Sequence, residues 1–178
     1  LILFYLFVIN TSNGHANIIN EQLNKLFNDL KISSHSSSFQ IEQKIWKLWS
    51  THPSDEKLTS LLSEGSAAVN NNQLTDAINI FTKVIELDPN WAEAWNKRAT
   101  ALYLIGEFQK SQNDINKVLD LEKRHFGALA GQGLVNIELK NYEKAILSYQ
   151  KAKEIYPTMK SPEVMIKQLK ILIKKESI

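Results

Sequence analysis

Apolar residues recur every three to four positions along much of this chain, and in its central part the stripe they form repeats after 34 residues. A stripe with this spacing is one face of a helix, and stretches of this kind separated by Asn, Gly and Pro predict helix–turn–helix units. Small residues alternating with large ones would let the two helices of a unit approach closely. Three units are in phase, and their aligned columns are Leu61, Trp95 and Leu129; Gly65, Ala99 and Gly133; Ala77, Ser111 and Ala145; Phe81, Ile115 and Tyr149; Val84, Val118 and Ala152; Pro89, Lys123 and Pro157.

The aligned columns resemble the tetratricopeptide repeat, a helix–turn–helix unit of about 34 residues. Arg98 stands where an apolar residue is usual, and Lys123 replaces the proline that follows the other two units. The resemblance implies an all-α, right-handed superhelical solenoid, in which stacked repeats bury a continuous core. It covers about Leu58 to Met159, and the three predicted repeats are 58–91, 92–125 and 126–159.

A pair of amphipathic helices is predicted ahead of the repeats. Apolar residues form one helical face between Ile18 and Ile32 and another between Phe39 and Trp49. The serine-rich run from Ser33 to Ser38 predicts a linker that is not helical throughout. Because the first repeat would otherwise expose core at its open end, we expect this pair to dock there as an N-terminal cap, through Trp46 and Trp49.

A closing helix is predicted after the repeats. Ser161 and Pro162 form a start signal, since Ser caps a helix and Pro suits its first turn. Its lysines lie away from its apolar face, which is typical of a solvated surface. The predicted organisation is a signal segment at 1–16, capping helices with the serine-rich linker at 17–57, repeats at 58–159 and a capping helix at 160–178.

The first 16 residues have the features of a secretion signal. Leu1–Ile9 is an unbroken apolar run, and Gly14 and Ala16 supply small residues at the positions a cleavage site prefers. Nine residues are too few to span a bilayer, which takes about 20. Since neither an initiator Met nor a basic segment precedes the run, we expect the start of the signal to be missing. A cleaved signal predicts a periplasmic or secreted protein, whereas a longer, uncleaved segment would anchor it in the inner membrane.

Composition and charge narrow the possible functions. The net charge is +2, and only Arg98 and Arg124 are arginines, the residue that phosphate readers favour, so no nucleic-acid partner is expected. The chain has no cysteine, its four histidines are dispersed, and it contains no phosphate-binding loop or nucleophile elbow. We therefore expect no metal, no cofactor and no catalytic residues, that is, a protein that is not an enzyme.

The resemblance to the tetratricopeptide repeat implies a binding surface. In that family the leading helix of each repeat lines the concave face. Here those helices would form a mixed groove with an apolar floor, suited to an extended or helical peptide of a partner protein, with Asn70 and Asn96 bonding the peptide backbone. The predicted groove residues are Leu62, Ser66, Val69, Asn70, Asn96, Lys97, Thr100, Tyr103, Gly127, Gly131, Leu134 and Ile137.

One well-known role of the family is not expected for this chain. Members that dock on chaperones hold the terminal carboxylate of a peptide with a clamp of lysines, asparagines and an arginine. Only Lys97 carries a suitable charge here. The matching positions are Leu62, Ser66, Lys97, Gly127 and Gly131.

Gly127 and Gly131 lie four residues apart and would leave a smooth strip on one side of a helix. The strip predicts close approach, either by a ligand or neighbouring backbone or by the leading helix of the second repeat, and the sequence leaves both open. The surrounding stretch, with Trp95–Ala99, resembles small exported tetratricopeptide proteins of Gram-negative bacteria.

Two functions follow as hypotheses. The first is a non-catalytic interaction module in the bacterial envelope that binds a peptide or helix in the groove. The alternative is a structural protein that forms homodimers through the solenoid ends or through the face of Trp46 and Trp49. Contact with a membrane is expected only if the N-terminal segment is an uncleaved anchor.

Overall fold

The structure, a computed structural model, describes residues 18–176, so the predicted signal segment at 1–16 lies outside the described residues. Every regular element among the described residues is a helix, and the prediction of an all-α fold is confirmed. The helices are α1 (18–32), α2 (His35–Trp49), α3 (Glu56–Asn70), α4 (Leu74–Leu87), α5 (Ala92–Leu104), α6 (Phe108–Leu121), α7 (Phe126–Glu138), α8 (Tyr142–Ile155) and α9 (Lys160–Glu176).

Helices α3 to α8 form three antiparallel pairs that follow the three predicted repeats, although α3 begins at Glu56, before the predicted start of the first repeat. The turn inside each pair uses a residue in the left-handed region at the same column: Asn72 (φ 60°), Gly106 (φ 80°) and Lys140 (φ 58°). Gly and Asn adopt this region readily, whereas Lys140 does so at some cost. Helix α9 follows the third pair and packs on α8 through Leu169, which is buried with Ala145 and Tyr149.

The small columns are sites of close helix packing. A Cβ atom placed on Gly65 would lie 2.5 Å from the Phe81 ring, and one placed on Gly133 would lie 2.5 Å from the Tyr149 ring. In the second pair the two small positions bond directly, since the Ser111 hydroxyl donates to the Ala99 carbonyl (2.8 Å). The small and large residues that alternate in the sequence are therefore the residues through which the two helices of each pair make contact.

Arg98, the departure from the apolar column, is half-buried in an ion pair. Its Nε and Nη2 atoms donate to the two carboxylate oxygens of Asp114 at 2.7 and 2.9 Å, and its Nη1 atom donates to the Thr82 hydroxyl at 3.1 Å. The guanidinium also lies 5.0 Å from the centre of the Trp95 ring. One residue of α5 thus connects α4 and α6, and its carboxylate partner is buried.

Helices α1 and α2 lie along the three connections that follow the helix pairs, the last of which leads to α9, and we refer to α1 and α2 as the brace. The brace and the segment after it reach all three connections. Asp88 is 2.9 Å from the His52 imidazole, and the Trp91 indole donates to the Trp49 carbonyl (2.8 Å). At the far end, the Tyr156 hydroxyl donates to the Glu42 carboxylate (3.1 Å).

The expected docking of this helix pair on the open end of the first repeat is wrong. The apolar face of the brace shares a core with Phe126 and Tyr156, at the second and third connections, rather than with the outer face of α3. The aromatic rings of Phe126 and Tyr156 give the brace an apolar surface to cover at these connections. The Trp46 and Trp49 rings both pack within the chain, so this face is not free for a second copy.

The serine-rich linker is much shorter than predicted, because α2 begins at His35 and only Ser33 and Ser34 lie between the helices. The Ser34 hydroxyl is 3.0 Å from that of Ser36, which ties the connection to the first helical turn. Ser38 is buried, 3.4 Å from the Tyr156 hydroxyl. A tertiary contact of this kind outweighs the weak helix propensity of serine.

Candidate protein-binding groove

A groove of about 70 Å³ lies between the leading helices α5 and α7. It brings together half of the residues predicted for the binding surface, with core side chains such as Ile115 and Val135 at its base. The predicted residues that line it are Asn96, Thr100, Tyr103, Gly127, Gly131 and Leu134.

The two glycines of the predicted smooth strip have different roles. A Cβ atom on Gly131 would find only Ile115 Cδ1 within 4 Å, at 3.8 Å, so Gly131 leaves the floor of the groove open. A Cβ atom on Gly127 would lie 2.5 Å from the Trp46 ring. Gly127 is therefore a packing position for the brace, a partner that neither of the two alternatives from the sequence had named.

The rim of the groove carries an apolar and a polar group side by side. Leu134 is 40% exposed. The Tyr103 hydroxyl donates to the Glu138 carboxylate (3.3 Å), which holds the ring between α5 and α7. Burial, and then the negative charge of Glu138, raise the pKa of Tyr103 above its ordinary value.

Lys97 is not a free cation in the groove. It forms an ion pair (3.3 Å) with Glu93, an acid that is only 1% exposed. Glu93 also accepts a hydrogen bond from the Asn96 amide (3.1 Å) and lies 3.0 Å from the buried His125 imidazole. Charges at this end of the groove are therefore neutralised within the chain.

His125, which sequence reasoning left without a role, joins this end of the groove to the brace. Its Nδ1 atom accepts from the Ala128 amide (3.0 Å) and so caps the start of α7. Its ring stacks on Trp49 with the centroids 4.0 Å apart and the planes 7° from parallel. In the sequence, His125 is marked only by its position in the repeat. It occupies the same position in the second repeat as Trp91 does in the first, and Trp91 stands just before α5.

Six predicted residues do not line this groove: the four of the first repeat, together with Lys97 and Ile137. Leu62 is a core residue, 2% exposed, and lies outside this groove. The Ser66 hydroxyl donates to the Leu62 carbonyl (2.8 Å). Val69 packs against the core of the first repeat, which contains Leu58 and Phe81 and which we call the first core. The last two outside the groove are Asn70, which is exposed at the end of α3, and Ile137, which packs toward α8 and α9.

The described residues, 18–176, lack two features that other functions would require. No group of three or more His, Cys, Asp or Glu side chains among them is arranged to hold a metal ion. In the same part of the chain, no helix combines the length and the apolar character that crossing a membrane requires.

Antiparallel helix pairs stacked with their leading helices side by side define a helical-repeat solenoid. A model of the tetratricopeptide repeat matches residues 62–111 and 105–160. The chain therefore belongs to the tetratricopeptide repeat family.

Known proteins support this assignment. A TPR repeat-containing protein of Rhizobium etli is 28% identical over 150 residues, which are 84% of this chain and 73% of the relative. The TPR domain of Arabidopsis OM64 is 27% identical with a TM-score of 0.62, covering 64% of this chain and 94% of that one. The first TPR domain of Spaghetti (RPAP3), solved with the HSP90 peptide SRMEEVD bound, is 20% identical with a TM-score of 0.65, covering 67% and 94%. These likenesses confirm the solenoid fold.

Proposed function

We propose that this chain is a non-catalytic interaction module that binds a peptide or helix of a partner protein in the groove between α5 and α7. One observation carries the proposal: the floor at Gly131 is open, and the exposed Leu134 beside it is not covered by any helix of the brace. The fold supports it, since a neighbour of the same fold, the first TPR domain of Spaghetti (RPAP3), has a peptide bound.

The size and charge of the groove define the ligand chemistry. A volume of about 70 Å³ is that of two to three water molecules, which fits one small aliphatic side chain of a partner. The Lys97 charge is already balanced by Glu93, so a terminal carboxylate would find no free cation there. The favoured ligand is a segment with an apolar anchor, and the Tyr103 hydroxyl and the Thr100 side chain stand at the rim for polar contacts.

Replacing the rim should abolish binding without unfolding the chain. The double variant Tyr103→Ser and Leu134→Ser removes the apolar contact at the groove while changing no fully buried residue. Affinity capture from bacterial envelope extracts should recover a partner with the parent chain and lose it with this variant, a drop of at least about tenfold. The matched control is Leu87→Ser, which removes a leucine that is 60% exposed on α4.

The outcome of capture separates binding from self-association. Equal recovery by the parent chain and the folded double variant would contradict the groove proposal. Recovery of this chain alone, with light scattering showing a dimer, would favour the structural alternative through the solenoid ends. Circular dichroism must show unchanged helicity in the double variant, since a loss of fold would assign Tyr103 and Leu134 to the core instead.

We also propose that the protein works in the periplasm or outside the cell, with an inner-membrane anchor as the alternative. The apolar run Leu1–Ile9 and the small residues Gly14 and Ala16 support an exported chain. A relative from a bacterium, Rhizobium etli, supports a bacterial source for this chain. Mass spectrometry of the N-terminus of envelope material tests the proposal, which requires a chain that begins after Ala16.

A further inference from the structure

A second cleft, on another face of α7, is lined by polar side chains. It has a volume of about 410 Å³ and runs between α6 and α8. Asn136 and Ser148 are buried at its base. The side chains that give the cleft its character are Gln112, Asn116, Gln132, Asn136, Lys144 and Lys151.

The amide groups of this cleft belong to a pattern that the repeat does not require. Helix α6 carries Gln109, Gln112, Asn113 and Asn116 at helical spacing, which places four amides on one side of a helix. Exposed helical faces usually carry charged residues instead. The columns of the repeat explain the opposite, apolar side of α6 but do not require amides in this stripe.

The amides are oriented by one another but keep unused hydrogen-bonding capacity. The Gln112 amide donates to Asn116 Oδ1 (2.9 Å) and accepts from Asn136 Nδ2 (3.3 Å). Ser148 donates to Gln132 Oε1 (3.0 Å). Each side-chain amide has two donor hydrogens and an acceptor with two lone pairs, so one or two bonds leave the others for a ligand. A peptide backbone offers the same alternation of donors and acceptors.

The charged residues that line the cleft are all basic. Among the described residues that line it, Lys144 and Lys151 are charged and none is acidic. The two lysines are exposed on α8 and seven residues apart, which is about 10 Å along a helix. An extended chain covers that distance in about three residues. Leu147, 56% exposed, lies between them and offers one apolar contact.

We propose that this cleft binds a short, extended, acidic peptide segment of a partner protein. The amides of Gln112, Asn116 and Gln132 pair with the peptide backbone, and Lys144 and Lys151 pair with acidic side chains. The site is separate from the groove between α5 and α7, and it would give the module a second contact with the same partner or with another.

Nuclear magnetic resonance of the side-chain amide groups tests this directly. The probes are two pools of synthetic six-residue peptides, one with Asp and Glu at alternate positions and one with Lys there, added to the ¹⁵N-labelled chain. The acidic pool should shift the amide resonances of Gln112, Asn116 and Gln132 with a dissociation constant below about 1 mM, and the basic pool should not. The groove variant Tyr103→Ser and Leu134→Ser should bind the acidic pool like the parent chain.

Matched charge variants make the test specific. Lys144→Glu with Lys151→Glu should weaken binding of the acidic pool at least about tenfold. Lys83→Glu with Lys117→Glu makes the same change of charge at exposed positions outside the cleft and should leave binding unchanged. The proposal is overturned if the amide resonances do not move, if both pools bind equally, or if both variants weaken binding alike. Shifts caused by an acidic oligosaccharide and not by peptides would overturn it in favour of a glycan site.

Discussion

Trp49→Ala is expected to lower the free energy of unfolding by about 3–5 kcal/mol, the range for removing a buried tryptophan. Trp49 is 6% exposed and contacts the rings of Phe27, Phe126 and His125. Its loss would leave a cavity where the brace meets the start of α7. Urea denaturation followed by circular dichroism measures the change.

A control on the same helix separates loss of the brace from a general effect on α2. Phe39 is 61% exposed, and Phe39→Ala should change the free energy of unfolding by no more than about 0.5 kcal/mol. The ring current of Trp49 on the stacked His125 imidazole offers a local readout, since the His125 proton resonances should move downfield in Trp49→Ala alone. If Trp49→Ala lowered the free energy of unfolding by less than about 1 kcal/mol and left the His125 resonances unchanged, the brace would not pack on α7.

Asp114→Ala should lower the free energy of unfolding by a similar amount, about 3–5 kcal/mol, because it leaves the half-buried Arg98 guanidinium without its carboxylate. Both partners lie mostly out of water, with the Arg98 side chain 19% and the Asp114 side chain 6% exposed. The Thr82 hydroxyl and the Trp95 ring remain near the guanidinium but do not balance its charge.

The double variant Arg98→Leu and Asp114→Leu provides the matched comparison. An apolar pair of similar size often stabilises as well as a buried ion pair, so the double variant should lie within about 1 kcal/mol of the parent chain. A double-mutant cycle completed with the single variants Arg98→Leu and Asp114→Leu should then give a large coupling energy between Arg98 and Asp114. Additive losses from the two single changes would show that the ion pair does not stabilise the fold.

The helices of the repeats were predictable because their information is local and is repeated. Gly133 and Tyr149 are 16 residues apart in one repeat, and Gly65 and Phe81 make the same contact at the same spacing in another. Each aligned column of the three repeats therefore shows the same packing position three times. Even so, Arg98 marked a departure from the pattern without showing its partner, Asp114, since an acid on α6 looks in the sequence like any solvated residue.

The position of the brace could not be predicted, because its contacts join residues far apart and occur once. The Tyr156 hydroxyl reaches Glu42 across more than a hundred positions of the chain, and no column repeats that pairing. The amphipathic face of α2 showed that it packs on something, but not on which surface. The packing role of Gly127 could not be predicted for the same reason, since its close neighbour is Trp46 of the brace.

The lining of the groove between α5 and α7 was half predictable, because a helix period gives the direction of a side chain but not its burial or its partners. Leu134 and Gly131 face the groove as their spacing indicates. Leu62 faces the same general direction but is covered by its neighbours in the first core. Lys97 looked like a free cation, and only the fold shows the buried Glu93 that neutralises it.

Site-specific photo-crosslinking from the groove tests most directly whether this surface binds a partner. A benzophenone amino acid placed at Leu134 should form a crosslink to one partner segment in cells, because this side chain is exposed at the open floor of Gly131. The same group at Leu87, also exposed but on α4, should not form that crosslink. Sequencing of the crosslinked peptide should give a segment with an aliphatic anchor. Crosslinks from Leu87 but not from Leu134, in a folded chain, would contradict binding in the groove.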